Sequence, residues 1–144
     1  MKIVTIVGAR PQFVKAAVLS RLFLAHPDFE EVLIHTGQHF DSNMSDVFFE
    51  ELHIPKPHYN LEINSLGHGA MTGRMLEGIE SLIIKEKPNW VMVYGDTNST
   101  LAGALAAKKE KSSAPVTQVD SETFSSPAAF IKDGKVFFTN AGSL

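Results

Sequence analysis

Short apolar runs and helix-like runs alternate along most of this chain. Residues 3–7 and 90–94 are apolar nearly throughout, which is typical of parallel strands covered on both faces. Between such runs, apolar residues recur every three or four positions, as in residues 12–25 and 72–87, and this spacing indicates amphipathic helices. The alternation predicts an α/β fold with a Rossmann-like open parallel sheet and helices on both faces.

Weaker signals complete the pattern up to residue 119. Two more strands are predicted at residues 32–35 and 116–119, and two more helices at residues 44–52 and 101–108. The total up to this point is four strands and four helices. Thr72 is a candidate N-cap for the long helix that it begins.

The character of the sequence changes after this region. Residues 120–144 carry no helix signal, and Asp133-Gly134 is flanked by β-forming residues, which predicts a hairpin over residues 130–138. We therefore divide the chain into a Rossmann-like amino-terminal domain, residues 1–119, and a divergent tail, residues 120–144. The hairpin would cover the edge of the last strand. The alternative is an unstructured or aggregation-prone tail.

Composition narrows the classes of function. The 144 residues include no cysteine, so thiolate zinc sites, disulfide scaffolds and cysteine nucleophiles are excluded. A net charge of −3 argues against a polybasic nucleic-acid-binding protein. No apolar run reaches the roughly 18 to 20 residues of a membrane span, and the start does not resemble a signal peptide. We expect a cytoplasmic protein that binds neither membrane nor nucleic acid.

Arg10 and Lys15 follow the first predicted strand, in the segment Gly8-Ala9-Arg10-Pro11-Gln12-Phe13-Val14-Lys15. Open α/β sheets bind ligands at the carboxyl ends of their strands, and N–H groups at a helix start favour an anion. The two cations would add charge for a phosphate or diphosphate. The segment matches neither a dinucleotide-binding fingerprint nor a Walker loop. The alternative is an ordinary turn with solvated charges.

Asp96 lies in the corresponding place after a later strand, at the start of Asp96-Thr97-Asn98-Ser99-Thr100. An aspartate before a helix is often only its N-cap. The functional alternative is a carboxylate that acts as an acid or a base in the strand-end crevice, or that orients one. Both roles are compatible with the spacing.

Polar loops add candidates for the same edge of the sheet. Gln38 and His39 follow the second strand and offer hydrogen-bonding groups to the crevice. His68 stands in a glycine-flanked loop that would either close over a ligand or simply connect two elements. A metal site built from His35, His39 and Asp41 is not expected, because a loop does not fix the geometry that metal ligands need.

Four ordered motifs give these candidates a common context. The chain resembles the non-hydrolysing UDP-N-acetylglucosamine 2-epimerase family, including its relatives that act on UDP-diacetamido-uronates. The resemblance is carried by residues 8–13, 36–46, 68–75 and 94–100.

The resemblance implies a GT-B type enzyme in which two Rossmann-like domains enclose a UDP-sugar. It implies an isomerase that inverts C2 by anti elimination of UDP and its re-addition, with no cofactor and no metal. Asp96 would then belong to the acid/base group, while Arg10 and Lys15 would assist the departing diphosphate. Gln38, His39 and His68 would help to bind the substrate.

The chain departs from the family pattern after residue 107. Asp120 falls where the family has an essential glutamate, and Phe124 falls where it has an arginine. We keep Asp120 as a catalytic candidate. The second domain, which carries a catalytic histidine in the family, has no counterpart here.

We therefore expect half of an active site, with little or no activity by itself. Its partners would be a UDP-sugar and either a second copy of the chain or a separate carboxyl-terminal domain. The alternative function is a non-catalytic module that binds nucleotide sugars or docks onto an epimerase.

Overall fold

A seven-stranded sheet runs through the protein, as seen in a computed structural model that describes residues 1–38, 46–110, 116–119, 128–132 and 135–139. The strand order is β3-β2-β1-β4-β5-β6-β7. The first five strands are parallel, whereas β6 runs antiparallel to β5 and β7 antiparallel to β6. The strands are β1 (Lys2–Val7), β2 (Glu30–His35), β3 (Tyr59–Asn60), β4 (Trp90–Tyr94), β5 (Val116–Val119), β6 (Ala128–Lys132) and β7 (Lys135–Thr139).

Helices cover both faces of the sheet. They are α1 (Arg10–Ala25), α2 (Asp46–Glu51), α3 (His68–Glu86) and α4 (Asn98–Lys109). Side chains of β1 alternate between two apolar clusters: Val4 and Ile6 pack with α3 and α4, while Ile3 and Val7 pack with α1. The predicted α/β fold with helices on both faces is confirmed.

The helices that follow β1 and β4 leave the sheet in different directions. α1 returns over one face and α4 over the other, although β1 and β4 are hydrogen-bonded neighbours. Such a switch point opens a crevice at the carboxyl ends of the two strands, and open α/β sheets bind ligands there. The fold thus places the turn after β1 beside the turn after β4.

Several boundaries differ from the sequence-based expectation. The two-residue strand β3 was not predicted, so the sheet has five strands up to residue 119 where four were expected. α3 begins at His68, four residues before Thr72, and its N-cap is Gly67. Thr72 lies inside the helix, where its hydroxyl donates to the carbonyl of His68 at 2.7 Å.

The tail contributes β6 and β7 to the sheet, next to β5. Residues 133–134, the predicted turn between these strands, lie outside the described residues, and the division of the chain at residue 119 stays a prediction. Within the described ranges, no helix is long and apolar enough to cross a membrane.

Small residues let α4 lie close to the sheet. Ala102, Ala106 and Gly103 are all buried against it. A Cβ atom at Gly103 would lie 2.8 Å from Ile6 Cδ1 and 2.9 Å from Val93 Cγ1, closer than carbon atoms pack. Residue 103 must therefore be glycine for α4 to keep this depth.

A carboxyl group is held between α1 and the sheet. Glu31 Oε1 accepts hydrogen bonds from the hydroxyls of Thr5 at 2.6 Å and Ser20 at 3.1 Å. Burial raises the pKa of Glu31, and these two hydrogen bonds and the nearby His58 oppose the rise only in part. The folded protein therefore holds the proton of Glu31 more tightly than the unfolded chain does.

Two glycine-to-alanine variants test how α4 packs on the sheet. Gly103→Ala should lower the free energy of unfolding by about 1 kcal/mol, because overpacking outweighs the gain in helix propensity. Gly73→Ala is the matched control, since Gly73 is a helical glycine with nothing within 4 Å of its added Cβ. It should raise the free energy of unfolding by about 0.5 to 1 kcal/mol. Urea unfolding measures both, and stabilisation by Gly103→Ala would contradict the observed packing.

The buried carboxyl predicts a pH dependence of stability. Below the usual pKa of about 4.5, Glu31 is protonated in both the folded and the unfolded states. As the pH rises from there through the higher folded pKa, only the unfolded chain loses its proton readily, so the free energy of unfolding should fall and then level off. Glu31→Gln should remove this slope. Urea titrations of both proteins between pH 4 and 8 measure it, and parallel pH profiles would refute the assignment.

Candidate functional site

A cavity of about 490 Å³ lies at the switch point of the sheet. One wall is the turn after β1 with the start of α1, and the other is the turn between β4 and α4. The lining residues are Ala9, Arg10, Pro11, Gln12, Lys15, Gly95, Asp96 and Thr97. The structure thus brings Arg10, Lys15 and Asp96 together around one crevice, although Asp96 is far from the two cations in sequence.

Local sequence explains why α1 starts at this crevice. Pro11 favours the first turn of a helix, because its ring fixes φ and it needs no hydrogen-bond acceptor for its nitrogen. The first turn of α1 contains no acidic residue. The positive end of the helix dipole and the two cations therefore give this wall of the cavity an affinity for anions.

Gln12 connects the two walls. Its Oε1 accepts hydrogen bonds from the backbone N–H groups of Gly8 at 2.7 Å and Ala9 at 3.2 Å. Its Nε2 donates to the carbonyl of Tyr94 at 2.5 Å and to Thr97 Oγ1 at 2.9 Å. Sequence reasoning missed this role, because the signal was only a glutamine three positions after an alanine that has no capping side chain.

The N-cap of α4 is Thr97 and not Asp96. Thr97 Oγ1 accepts a hydrogen bond from the N–H of Thr100 at 3.4 Å. Gly95, with φ of +68°, turns the chain between β4 and this cap, and Asp96 is exposed at the cavity. The capping interpretation of Asp96 is therefore wrong, and Asp96 lies at the crevice.

Gln38 braces the start of α4. Its Oε1 accepts hydrogen bonds from the N–H of Ser99 at 3.0 Å and from its hydroxyl at 2.7 Å. The Ser99 hydroxyl also lies 2.8 Å from Thr36 Oγ1. A Cβ atom at Gly8 would lie 2.0 Å from Ser99 Oγ, so only glycine allows β1 to end this close to α4. Gln38 does not line the cavity.

His68 is the first residue of α3 and not part of a flexible loop. It is exposed, and its Nδ1 lies 3.1 Å from Nδ2 of Asn98, the first residue of α4. It therefore stands beside the second wall of the crevice without lining the cavity. The sequence left open whether this glycine-flanked segment closes over a ligand or simply connects two elements, and in the structure His68 begins a helix.

Two predicted site residues, His39 and Asp120, lie outside the described residues. The same holds for Asp41, so the rejection of a metal site stays a prediction. In the parts of the chain that the structure describes, no three candidate metal ligands are grouped together.

His35, at the end of β2, packs its ring edge-on against Phe13 at 5.1 Å. Burial lowers its pKa, which favours the neutral imidazole. This placement gives His35 a packing role beneath the crevice.

Comparison with known proteins shows which family this chain resembles in sequence. The UDP-N-acetylglucosamine 2-epimerase family profile matches residues 23–116. The UDP-2,3-diacetamido-2,3-dideoxy-D-glucuronate 2-epimerase of Pseudomonas aeruginosa is 63% identical over 109 residues, which cover 76% of this chain and 31% of that protein. A UDP-N-acetylglucosamine 2-epimerase homolog of Methanococcus maripaludis is 62% identical over 109 residues, which cover 76% of this chain and 30% of that protein.

A solved structure shares the fold as well. The UDP-GlcNAc 2-epimerase of Methanocaldococcus jannaschii, crystallised with UDP-GlcNAc and UDP, aligns with a TM-score of 0.77 and 45% identity. The alignment covers 87% of this chain and 34% of that one, so the chain spans about a third of the length of its relatives. The chain belongs to the UDP-N-acetylglucosamine 2-epimerase family.

Proposed function

We propose that the cavity between β1 and β4 binds the diphosphate of a UDP-sugar and forms the amino-terminal part of a 2-epimerase active site. The single observation that carries the proposal is the grouping of Arg10, Lys15 and Asp96 around one crevice at the switch point. The start of α1 adds backbone N–H groups on the same wall. Two cations and a helix start suit a diphosphate, while a carboxylate on the facing wall suits proton transfer.

The proposed reaction inverts C2 of the sugar in two steps. A base removes the proton from C2 while the bond between C1 and the diphosphate oxygen breaks, which releases UDP and leaves a double bond between C1 and C2. UDP then adds back to C1 while C2 receives a proton on the opposite face. Negative charge develops on the departing diphosphate, and fixed cations stabilise it.

Each predicted site residue takes a role in this proposal. Arg10 and Lys15 bind the diphosphate and assist its departure, and Asp96 is an acid/base group or orients one. Gln38 supports substrate binding indirectly, because it accepts hydrogen bonds from Ser99 at the start of α4. His68, whose Nδ1 lies 3.1 Å from Asn98 Nδ2 at the start of α4, helps to bind the sugar in this proposal. His39 and Asp120 are proposed from the family resemblance alone.

In a two-domain enzyme a second domain would face this crevice, and the described residues do not include one. The chain spans about a third of its relatives, and a base misplaced by about 1 Å already costs about a hundredfold in rate. We therefore propose that the chain has little or no epimerase activity by itself. The competing function is a module that binds nucleotide sugars without turnover, alone or docked onto an epimerase.

One experiment tests both the binding of a UDP-sugar and its epimerisation. Proton NMR spectra of UDP-N-acetylglucosamine in deuterated buffer with the full chain should show line broadening, no deuterium at C2 and no free UDP. The reason is that the proposed binding groups are among the described residues, whereas the chain spans only about a third of the length of its relatives. Deuterium at C2 that disappears in Asp96→Asn would show that this chain suffices for proton transfer. An absence of broadening at millimolar ligand would refute the proposed binding site.

Substitutions of Arg10 and Lys15 test whether these two cations bind the diphosphate. Arg10→Ala and Lys15→Ala should each weaken UDP binding about tenfold or more, because each removes a charged hydrogen-bond donor to the diphosphate. Lys108→Ala is the charge-matched control, since Lys108 lies in the last turn of α4, outside the cavity lining. Calorimetric titration with UDP measures the affinities. Equal losses in all three variants would indicate general electrostatic attraction in place of a specific site.

A further inference from the structure

The side chain of Gln12 crosses the switch point of the sheet. It is buried, with 4% of its surface exposed. Its acceptor end faces the N–H groups of Gly8 and Ala9, and its donor end faces Tyr94 and Thr97 on the other strand end. Nε2 also lies 3.4 Å from Thr100 Oγ1. The orientation of the amide is fixed because the N–H groups of Gly8 and Ala9 can only donate and the Tyr94 carbonyl can only accept.

The amide stands where the backbone pairing stops. The last residues paired between β1 and β4 are Ile6 and Val93. Beyond them the two chains diverge into α1 and α4, on opposite faces of the sheet. Gln12 joins Gly8 and Tyr94 just past this point, so it extends the hydrogen bonding between the strands by one further step.

The bridge also links the charged groups of the site. Arg10 and Lys15 flank Gln12 on α1, while Asp96 lies between its two partners on the other side, Tyr94 and Thr97. Thr100 strengthens that side, since its hydroxyl donates to the same Tyr94 carbonyl at 2.6 Å. A single side chain that carries no charge itself therefore connects the two walls.

We propose that Gln12 is a positioning residue that sets the distance between the diphosphate-binding cations and the Asp96 carboxylate. The proposal rests on the proposed function, since it assumes that these groups act on one ligand. Gln12 acts through the two loops, and its amide is engaged at both ends by groups of the protein itself. Its loss should widen or skew the crevice while the charged residues remain.

Gln12→Met tests this role, because methionine has a similar length but cannot donate a hydrogen bond, and its sulfur accepts one only weakly. With UDP as the probe, its affinity should fall about fivefold or more relative to the wild-type chain. Residual dipolar couplings of the Gly95 and Asp96 N–H groups should change as well, since they report the orientation of the loop. A general loss of stability would not alter these couplings in the folded protein.

Thr5→Val is the matched control. Thr5 is fully buried and loses its hydrogen bond to Glu31 in this variant, but it lies away from the crevice. Thr5→Val should lower stability while it leaves the UDP affinity within about twofold and the couplings unchanged. If Gln12→Met does not fold, Gln12→Glu supplies the test, because an ionised carboxylate keeps the acceptor for Gly8 and Ala9 but cannot donate to Tyr94 and Thr97, so it should shift the same couplings.

The outcomes separate this inference from the function on which it rests. Unchanged couplings in both bridge variants, or wild-type affinity in Gln12→Met, would overturn the positioning role. A wild-type chain that does not bind UDP would refute the proposed function. The couplings would then still decide whether Gln12 holds the two loops together.

Discussion

The direction in which helices leave β1 and β4 is the constraint on which the rest of this structure depends. The two strands are paired neighbours, yet their helices must cover opposite faces, because each face of the sheet is apolar and needs its own layer. The chains therefore separate at the carboxyl ends of the strands. Among the described residues, the groups of the candidate site lie in or beside the gap that this separation creates.

Neutral side chains hold the gap in shape, while charged side chains face it. The side chains of Gln12, Gln38 and Ser99 form hydrogen bonds with other groups of the protein. Arg10 and Asp96, by contrast, are exposed at the cavity. This division suits a site for a charged ligand, because the supporting groups stay fixed whether or not the ligand is bound.

The sequence predicted features that depend on local pattern and missed those that depend on distant partners. Apolar runs revealed β1, β2 and β4, whereas β3 is two residues long and follows a segment with two prolines. Asp96 and Thr97 are both suitable caps, and only the fold shows which one is used. The role of Gln12 could not be predicted, since its partner Tyr94 is 82 residues away.

The depth of α4 on the sheet has a mechanical consequence for the crevice. Gly103 lies five residues into the helix from Asn98, about 7.5 Å along its axis. Because α4 is continuous from Asn98 to Lys109, a displacement at residue 103 also displaces its first turn, together with the Thr97 cap and the adjoining Asp96. The position of one wall of the crevice is thus tied to a missing methyl group in the core, five residues into a helix whose other end is outside the crevice.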